Sequence, residues 1–285
     1  MTTMIQYLYL GTVPYGEGLR IQAEIAELLA EGRVRNVLLL LEHPPVLTLG
    51  RNAHRSNILA SDELLRSCGI TVHEINRGGD VTYHGPGQLV GYPIFDLRTL
   101  HNERGGRLGP VDFVRGMEEA LIRLCGSFGV RAGRIPGLTG VWCPAPQSQT
   151  ASTGSPSAGP ERKICAIGIH VSRGITSHGF AFNVTTDLRD FGLIIPCGIP
   201  DHPVTSLAQE VQTPEELPTL ETIAHQVARH FGQVFGEQVQ AFESLSALQA
   251  QAPDAPLQFP AEDTPLQIPV EVERLRNTKD RPLQT

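Results

Sequence analysis

Between residues 5 and 235, strand-like and helix-like runs are interleaved without strict alternation, which argues against a doubly wound parallel sheet. Residues 5–10 alternate as an opening strand. Residues 18–31 read as a helix with Leu19, Ile21, Ile25, Leu28 and Leu29 toward one side. Asn36–Glu42 is an uninterrupted apolar run of strand length, ended by His43-Pro-Pro, and Val46–Leu49 is a second short strand. Ser61 is placed to cap a short helix over Asp62–Ser67. Strands follow at 70–74 and 88–95. The clearest helix spans 111–128, where Val114, Met117, Leu121, Leu124 and Phe128 recur at helical spacing and Gly129 stands just past the end. A strand at 140–142 precedes two more at 163–171 and 176–183, joined by Ser172-Arg173-Gly174 as a hairpin. The last helix is Leu220–Phe235, with Leu220, Ile223, Val227, Phe231 and Val234 inward. The expected fold is α+β, a mixed and mostly antiparallel sheet with packed helices.

Two segments stand apart. Residues 144–160 hold no charge and no large apolar side chain, so burial cannot offset their ordering entropy. They read as a disordered Pro/Ser-rich insertion. Residues 250–285 read as a Pro/Gln-rich tail whose one coherent apolar piece, Ile268-Pro-Val-Glu-Val, could dock as a strand. Residues 1–249, the insertion aside, make one catalytic-size domain. Of the 285 residues 40% are hydrophobic, enough for a real core, and no apolar run reaches membrane-spanning length. The N-terminus lacks a signal-peptide pattern, so a cytoplasmic protein is expected. Thirty acids against 23 bases give −7, which disfavours a nucleic-acid partner. The five cysteines are widely spaced and form no CxxC pair, arguing against a disulfide framework or a structural metal site.

Four segments carry chemistry. Arg77-Gly-Gly-Asp-Val-Thr-Tyr-His-Gly-Pro-Gly-Gln88 is glycine-rich, which suits close approach of backbone to a ligand, with Arg77, Thr82, Tyr83 and His84 as donors. It has no Walker lysine and opens no helix as a GxGxxG motif would, so it does not read as a nucleotide phosphate loop. Arg162-Lys-Ile-Cys-Ala-Ile-Gly-Ile-His170 starts a strand with Lys163, ordinarily a solvated edge charge. Strand alternation puts Cys165 on the face of Lys163, as a small buried residue. In Thr176-Ser-His-Gly-Phe-Ala-Phe-Asn-Val184, Gly179 marks a bulge or a close contact, and His178 is either a base or a satisfied structural residue. In Ile194-Ile-Pro-Cys-Gly-Ile-Pro200, Cys197 sits in a turn and ranks first of the five cysteines as a nucleophile, against the alternative of an inert thiol. Gly198 leaves a backbone N–H for an oxyanion contact.

These segments, in this order, resemble the lipoyl(octanoyl) transferase family, the protein N-octanoyltransferases of lipoate biosynthesis, over about residues 5–235. The resemblance implies a fold shared with biotin and lipoate protein ligases. It implies that Cys197 carries the acyl group and that Lys163 is its activating partner. It further implies acyl-pocket contacts from Arg77, Gly78, Gly79, Asp80, Val81, Thr82, Tyr83 and His84, from Ala166, Ile167 and Gly168, and from Gly179, Phe180 and Ala181. The implied donor is octanoyl on the phosphopantetheine of acyl carrier protein. The implied acceptors are lipoyl domains of 2-oxoacid dehydrogenases and the glycine-cleavage carrier protein. No cofactor, metal, nucleic acid or membrane is implied.

Exchange of one thioester for another needs little driving force, and the amide that follows is downhill, so no ATP is expected. A cationic neighbour favours the thiolate that attacks. Once the thiolate is acylated Lys163 can lose its proton more easily, and an amine or a nearby histidine, with His84 the candidate, can deprotonate the acceptor lysine. An acidic carrier needs a local basic patch, for which Arg51, Arg55, Arg77 and Lys163 are the candidates. The nearest rival is an ATP-dependent lipoate- or biotin-type ligase on the same fold, which needs no cysteine. An amidotransferase between two carrier proteins, a non-catalytic carrier-binding module and a cysteine hydrolase are the others.

Overall fold

Asn36–Glu42 (β2) is buried along both faces, and its alternating side chains feed two separate cores. Leu38 and Leu40 join one, Val37, Leu39 and Leu41 the other. This places β2 inside a sheet covered on both sides. The computed structural model describes residues 4–101, 105–145 and 159–250. The strands are β1 (Met4–Thr12), β2, β3 (Val46–Leu49), β4 (Thr71–Glu74), β5 (Val81–His84), β6 (Gln88–Ile94), β7 (Gly133–Ile135), β8 (Leu138–Cys143), β9 (Arg162–Ser172), β10 (Ile175–Asn183) and β11 (Gln238–Ala241). The helices are α1 (Tyr15–Ala30), α2 (Asp62–Ser67), α3 (Pro110–Ser127), α4 (Leu207–Glu210), α5 (Leu220–Phe235) and α6 (Leu245–Ala250).

Eight strands form one sheet in the order β11-β1-β2-β6-β10-β9-β8-β7. Only the β11-β1 and β1-β2 pairs are parallel, so the sheet is mixed and mostly antiparallel, as the strand pattern predicts. The remaining strands, β4-β3-β5, make a small second sheet with its own core of Leu47, Val81, Tyr83, Leu65 and Ile70. On one face of the large sheet lie α3 and α5. Ile223, Val227 and Phe231 of α5 are wholly buried there, each worth about 1.5–3 kcal/mol of burial. Thr219 caps α5 through the Thr222 N–H, and Gly236 closes it in a left-handed conformation. On the other face lie α1 and α6, with Ile21, Ile25, Leu29 and Leu248 inward. Ser61 caps α2 as expected, its hydroxyl accepting from the Leu64 N–H.

Two features of this frame position the site. The β9–β10 hairpin turns at Arg173 and Gly174, both at positive φ, as the Ser-Arg-Gly sequence predicts. Within it, β9 carries a bulge. Val141 pairs with Cys165 but Trp142 pairs with Lys163, so Ile164 is an extra residue. This corrects the expectation that Lys163 and Cys165 share a face. Cys165 and Ile164 are buried in the core under α3 and α5, while Lys163 is turned to the opposite side. The expected tail, with its candidate strand, and nearly all of the expected insertion lie outside the described residues. Among the described residues no helix is long and apolar enough to cross a membrane.

Candidate active site

A cavity of about 330 Å³ opens between the β9–β10 hairpin and the small sheet, on the α1 side of the large sheet. Its walls bring together all four sequence segments. The Arg77–Asp80 loop with Thr82 and His84 of β5 forms one side. Lys163, Ala166, Ile167 and Gly168 of β9 face it, beside Gly179, Phe180 and Ala181 of β10, and Cys197 closes one end. Two implied contacts are corrected. Val81 and Tyr83 alternate away from the cavity into the core of the small sheet, where the Tyr83 hydroxyl donates to Asp190 at 2.6 Å.

The glycine-rich loop is shaped by backbone packing. Gly78 N–H donates to Ile169 O at 3.0 Å, and a Cβ on residue 168 would lie 2.6 Å from Gly78 O. The loop can therefore lie flat on β9 only with glycine at 168. Arg77 is buried and held from within, with Nη2 donating to Thr48 O (2.7 Å) and Oγ1 (2.9 Å) and Nη1 to Gly78 O (3.0 Å). Arg77 and Lys163, at 8% and 6% exposure, are thus unable to contribute to a surface docking patch, which leaves Arg51 and Arg55 of the four candidates.

Lys163 is not the solvated edge charge that a strand-end lysine ordinarily is. The bulge turns it inward, and its Nζ lies 4.5 Å from the centroid of the Trp142 ring, within cation–π range. Its backbone is tied to the segment that follows Cys197: Lys163 N–H donates to Pro203 O (2.8 Å) and Thr205 N–H donates to Lys163 O (2.9 Å). The strand carrying the lysine is therefore tied by hydrogen bonds to the segment that leads away from the cysteine turn.

Cys197 is partly exposed and stands at φ +56°, a left-handed conformation uncommon for a residue with a side chain. The turn is closed by Gly198 N–H to Ile195 O (3.1 Å) and Ile199 N–H to Pro196 O (3.0 Å). The Gly198 N–H is thus spent on the turn, which corrects the expectation that it is free for an oxyanion. Asp80 braces the same turn. Its Oδ2 accepts from Asn57 Nδ2 at 2.6 Å, and Asn57 O accepts from Ile195 N–H at 2.7 Å. A Cβ on residue 198, itself at φ +66°, would fall 2.5 Å from Asp80 Oδ2. Gly198→Ala is expected to shift the Cys197 turn and to lower turnover by at least about 10-fold, since small misplacements of a reacting group are costly. Steady-state assay beside a thermal melt checks this; wild-type turnover in the variant would show that the turn tolerates the shift.

The other cysteines differ. Burial pushes the thiol of Cys143 up to about 12, and raises those of Cys125 and Cys165 well above the ordinary thiol value. Cys68 is exposed at the end of α2 and is not on the cavity wall. His84 is engaged on both ring nitrogens, by Gln88 Oε1 at 2.8 Å and Thr48 Oγ1 at 3.4 Å. Burial first, and then His43, lower its pKa to about 3, with Arg77 and His178 adding to the effect. An imidazole whose proton affinity is held this low and whose two nitrogens are both engaged is a weak general base, so His84 reads as a wall residue and not as the expected base. Gln88 Nε2 continues to Asn183 Oδ1 (2.9 Å), and Asn183 Nδ2 to Thr205 O (2.9 Å), joining His84 to the segment after Cys197.

Residues 14–232 match the model of the lipoyl protein ligase A/B catalytic domain. The octanoyltransferase of Acidobacterium capsulatum is 57% identical over 242 residues, 85% of this chain and 94% of that protein. That of Koribacter versatilis is 49% identical over 253 residues, 89% and 93%. The chain belongs to the octanoyltransferase family. Octanoyltransferases are acyl-transferring enzymes, and the fold of this one is that of lipoate protein ligases. The bipartite lipoate protein ligase of Thermoplasma acidophilum superposes with a TM-score of 0.61 at 14% identity, covering 87% of this chain and 90% of that one. A lipoate-protein ligase A bound with ATP gives 0.60 at 14%, covering 88% and 92%.

Several wall residues of this octanoyltransferase escape sequence reasoning. Tyr15, Tyr92, Gly137, Leu138, Thr139 and Ile199 line the cavity, and Trp142 lies under Lys163. Tyr15 opens α1 and Tyr92 lies within β6, so each reads locally as ordinary core. Only the pairing of β6 with β10 and the placement of α1 bring them to the site. Among the described residues no group of His, Cys, Asp and Glu is arranged to hold a metal ion.

Proposed function

We propose that this chain moves an octanoyl group from octanoyl-acyl carrier protein to the lysine amine of a lipoyl domain, through a thioester on Cys197, as the first step of protein lipoylation. The observation that carries the reading is the convergence of Cys197 and Lys163 on one cavity. Both residues line the same cavity, and hydrogen bonds tie the Lys163 backbone to Pro203 and Thr205, in the segment that follows Cys197.

The chemistry starts with Cys197 as thiolate and Lys163 as ammonium. The thiolate attacks the donor carbonyl, and the bond from carbonyl carbon to the phosphopantetheine sulfur breaks. Lys163 gives its proton to the departing thiolate and is left as an amine. The acceptor lysine then attacks the acyl carbon. Its proton passes to Lys163, the bond to Cys197 Sγ breaks, and the starting pair is restored. Lys163 takes the proton role for which His84 is unsuited. The aliphatic chain lies in the cavity against Ala166, Gly168, Gly179 and Ala181, whose small side chains leave room along the hairpin.

The rival ligase reading is tested at the bench. Octanoyl-acyl carrier protein and an apo lipoyl domain, without ATP, are expected to give an acceptor heavier by one octanoyl group. If acceptor modification required ATP and free octanoate, the protein would act as a ligase and the transfer reading would fail.

A further inference from the structure

We propose that His178 sets the length of acyl chain this enzyme accepts, by closing the distal end of the cavity with a ring held fixed. The proposal deepens the octanoyl-transfer reading and rests on it. Strand alternation along β10 sends Phe180 and Phe182 into the core under α3 and α5, and Ala181 to the cavity side. Continued alternation would bury residue 178 with the two phenylalanines. Instead His178 stands at φ +57°, a left-handed conformation that costs a residue with a side chain energy, and its ring lines the cavity.

The ring is held there. The backbone N–H of His178 donates to Gln22 Oε1 of α1 at 2.7 Å, and Nε2 lies 2.7 Å from Asn76 Oδ1, the residue before the glycine-rich loop. Nε2 facing a carbonyl oxygen carries the proton, which leaves Nδ1 a bare acceptor. Nδ1 is buried with no hydrogen-bond partner among the described residues, and the whole residue is only 4% exposed. Burial, with Arg77 and His170 adding to it, holds the imidazole neutral, with a pKa of about 4. Backbone strain and a fixed ring thus coincide on one cavity wall.

Their place along the cavity gives them meaning. Cys197 shares a recess with Thr82, Lys163, Ala166 and Ala181, so the acyl carbonyl lies at the Ala181 end. His178 is three residues further along β10, about 10 Å at the usual rise of a strand. An extended eight-carbon chain is of that length. A chain two carbons longer must push its methyl end against a ring that the strained backbone and Asn76 hold in place, and crowding a fixed wall is costly.

The test compares octanoyl-, decanoyl- and dodecanoyl-acyl carrier protein as donors for wild type, His178→Asn and His178→Gly. Both replacements tolerate the left-handed backbone and shorten the end wall. Calorimetric binding of free octanoate and decanoate is measured beside turnover. The decanoyl-to-octanoyl ratio of kcat/KM is expected to rise by at least about 10-fold in both variants, the usual reach of a changed methylene contact. The ratio of fatty-acid affinities should rise with it. An unchanged ratio in turnover and in binding, with folded variants, would overturn the assignment of His178. Absent turnover in wild type with a shifted affinity ratio would instead overturn octanoyl transfer and leave the assignment standing.

Discussion

Cys197→Ala abolishes acyl transfer, lowering kcat/KM for octanoyl-acyl carrier protein by at least about a thousand-fold, the scale seen when a covalent nucleophile is removed. The size of the effect follows from the lack of a substitute. Cys125, Cys143 and Cys165 are buried with thiols held protonated, and Cys68 is not on the cavity wall. Folding should be spared. The side chain is partly exposed, and the backbone bonds that close the turn, from Gly198 and Ile199, do not involve its sulfur. Cys197→Ser is the companion variant, keeping the polarity and nearly the shape but offering a poorer nucleophile. Unaltered transfer by the alanine variant would leave direct attack of the acceptor on the donor thioester as the remaining route.

Lys163→Met lowers the rate by about 10²–10⁴-fold, the range that a positioned proton donor and acceptor supplies. Methionine nearly matches lysine in length and sits comfortably against the Trp142 ring. Replacing a buried charge with an apolar group also removes a desolvation cost, so the melting temperature should hold or rise. Two rates separate the roles of Lys163. If the ammonium favours the Cys197 thiolate, alkylation of Cys197 by iodoacetamide slows in the variant at neutral pH. If Lys163 also receives the acceptor's proton, discharge of a preformed acyl-enzyme slows as well. A variant that keeps full transfer at neutral pH would remove Lys163 from the mechanism.

Much of this was legible in the sequence, for identifiable reasons. Leu220–Phe235 carries its apolar residues at helical spacing between a capping threonine and a terminal glycine, so local information suffices, and the element has the expected bounds. The β9–β10 hairpin was equally plain, because Ser172, Arg173 and Gly174 separate two alternating runs. The four chemical segments were found, and the fold brings them to one cavity. The failures share a cause. The bulge at Ile164, the left-handed φ at His178 and the closed turn at Cys197 are set by partners distant in sequence. Those partners are β8 for the first, Gln22 and Asn76 for the second, and Asn57 and Asp80 around the third. Period-two reasoning therefore put Cys165 beside Lys163, while the family resemblance took Arg77–His84 as one continuous run and so included Val81 and Tyr83. It also gave no sign that β3, β4 and β5 leave the main sheet. The short β11 and α6, beyond the last long helix, carry no local sequence mark, yet Leu248 of α6 is fully buried against α1 and the sheet.

The central claim is that Cys197 carries the acyl group between two substrates. Intact-protein mass spectrometry after mixing with octanoyl-acyl carrier protein tests it most directly, with wild type beside Cys197→Ala. The account predicts one octanoyl adduct on wild type, none on the variant, and loss of the adduct when an apo lipoyl domain is added as that domain gains the same mass. An adduct that persists in Cys197→Ala, or an acceptor that is modified while Cys197 never becomes acylated, would contradict it.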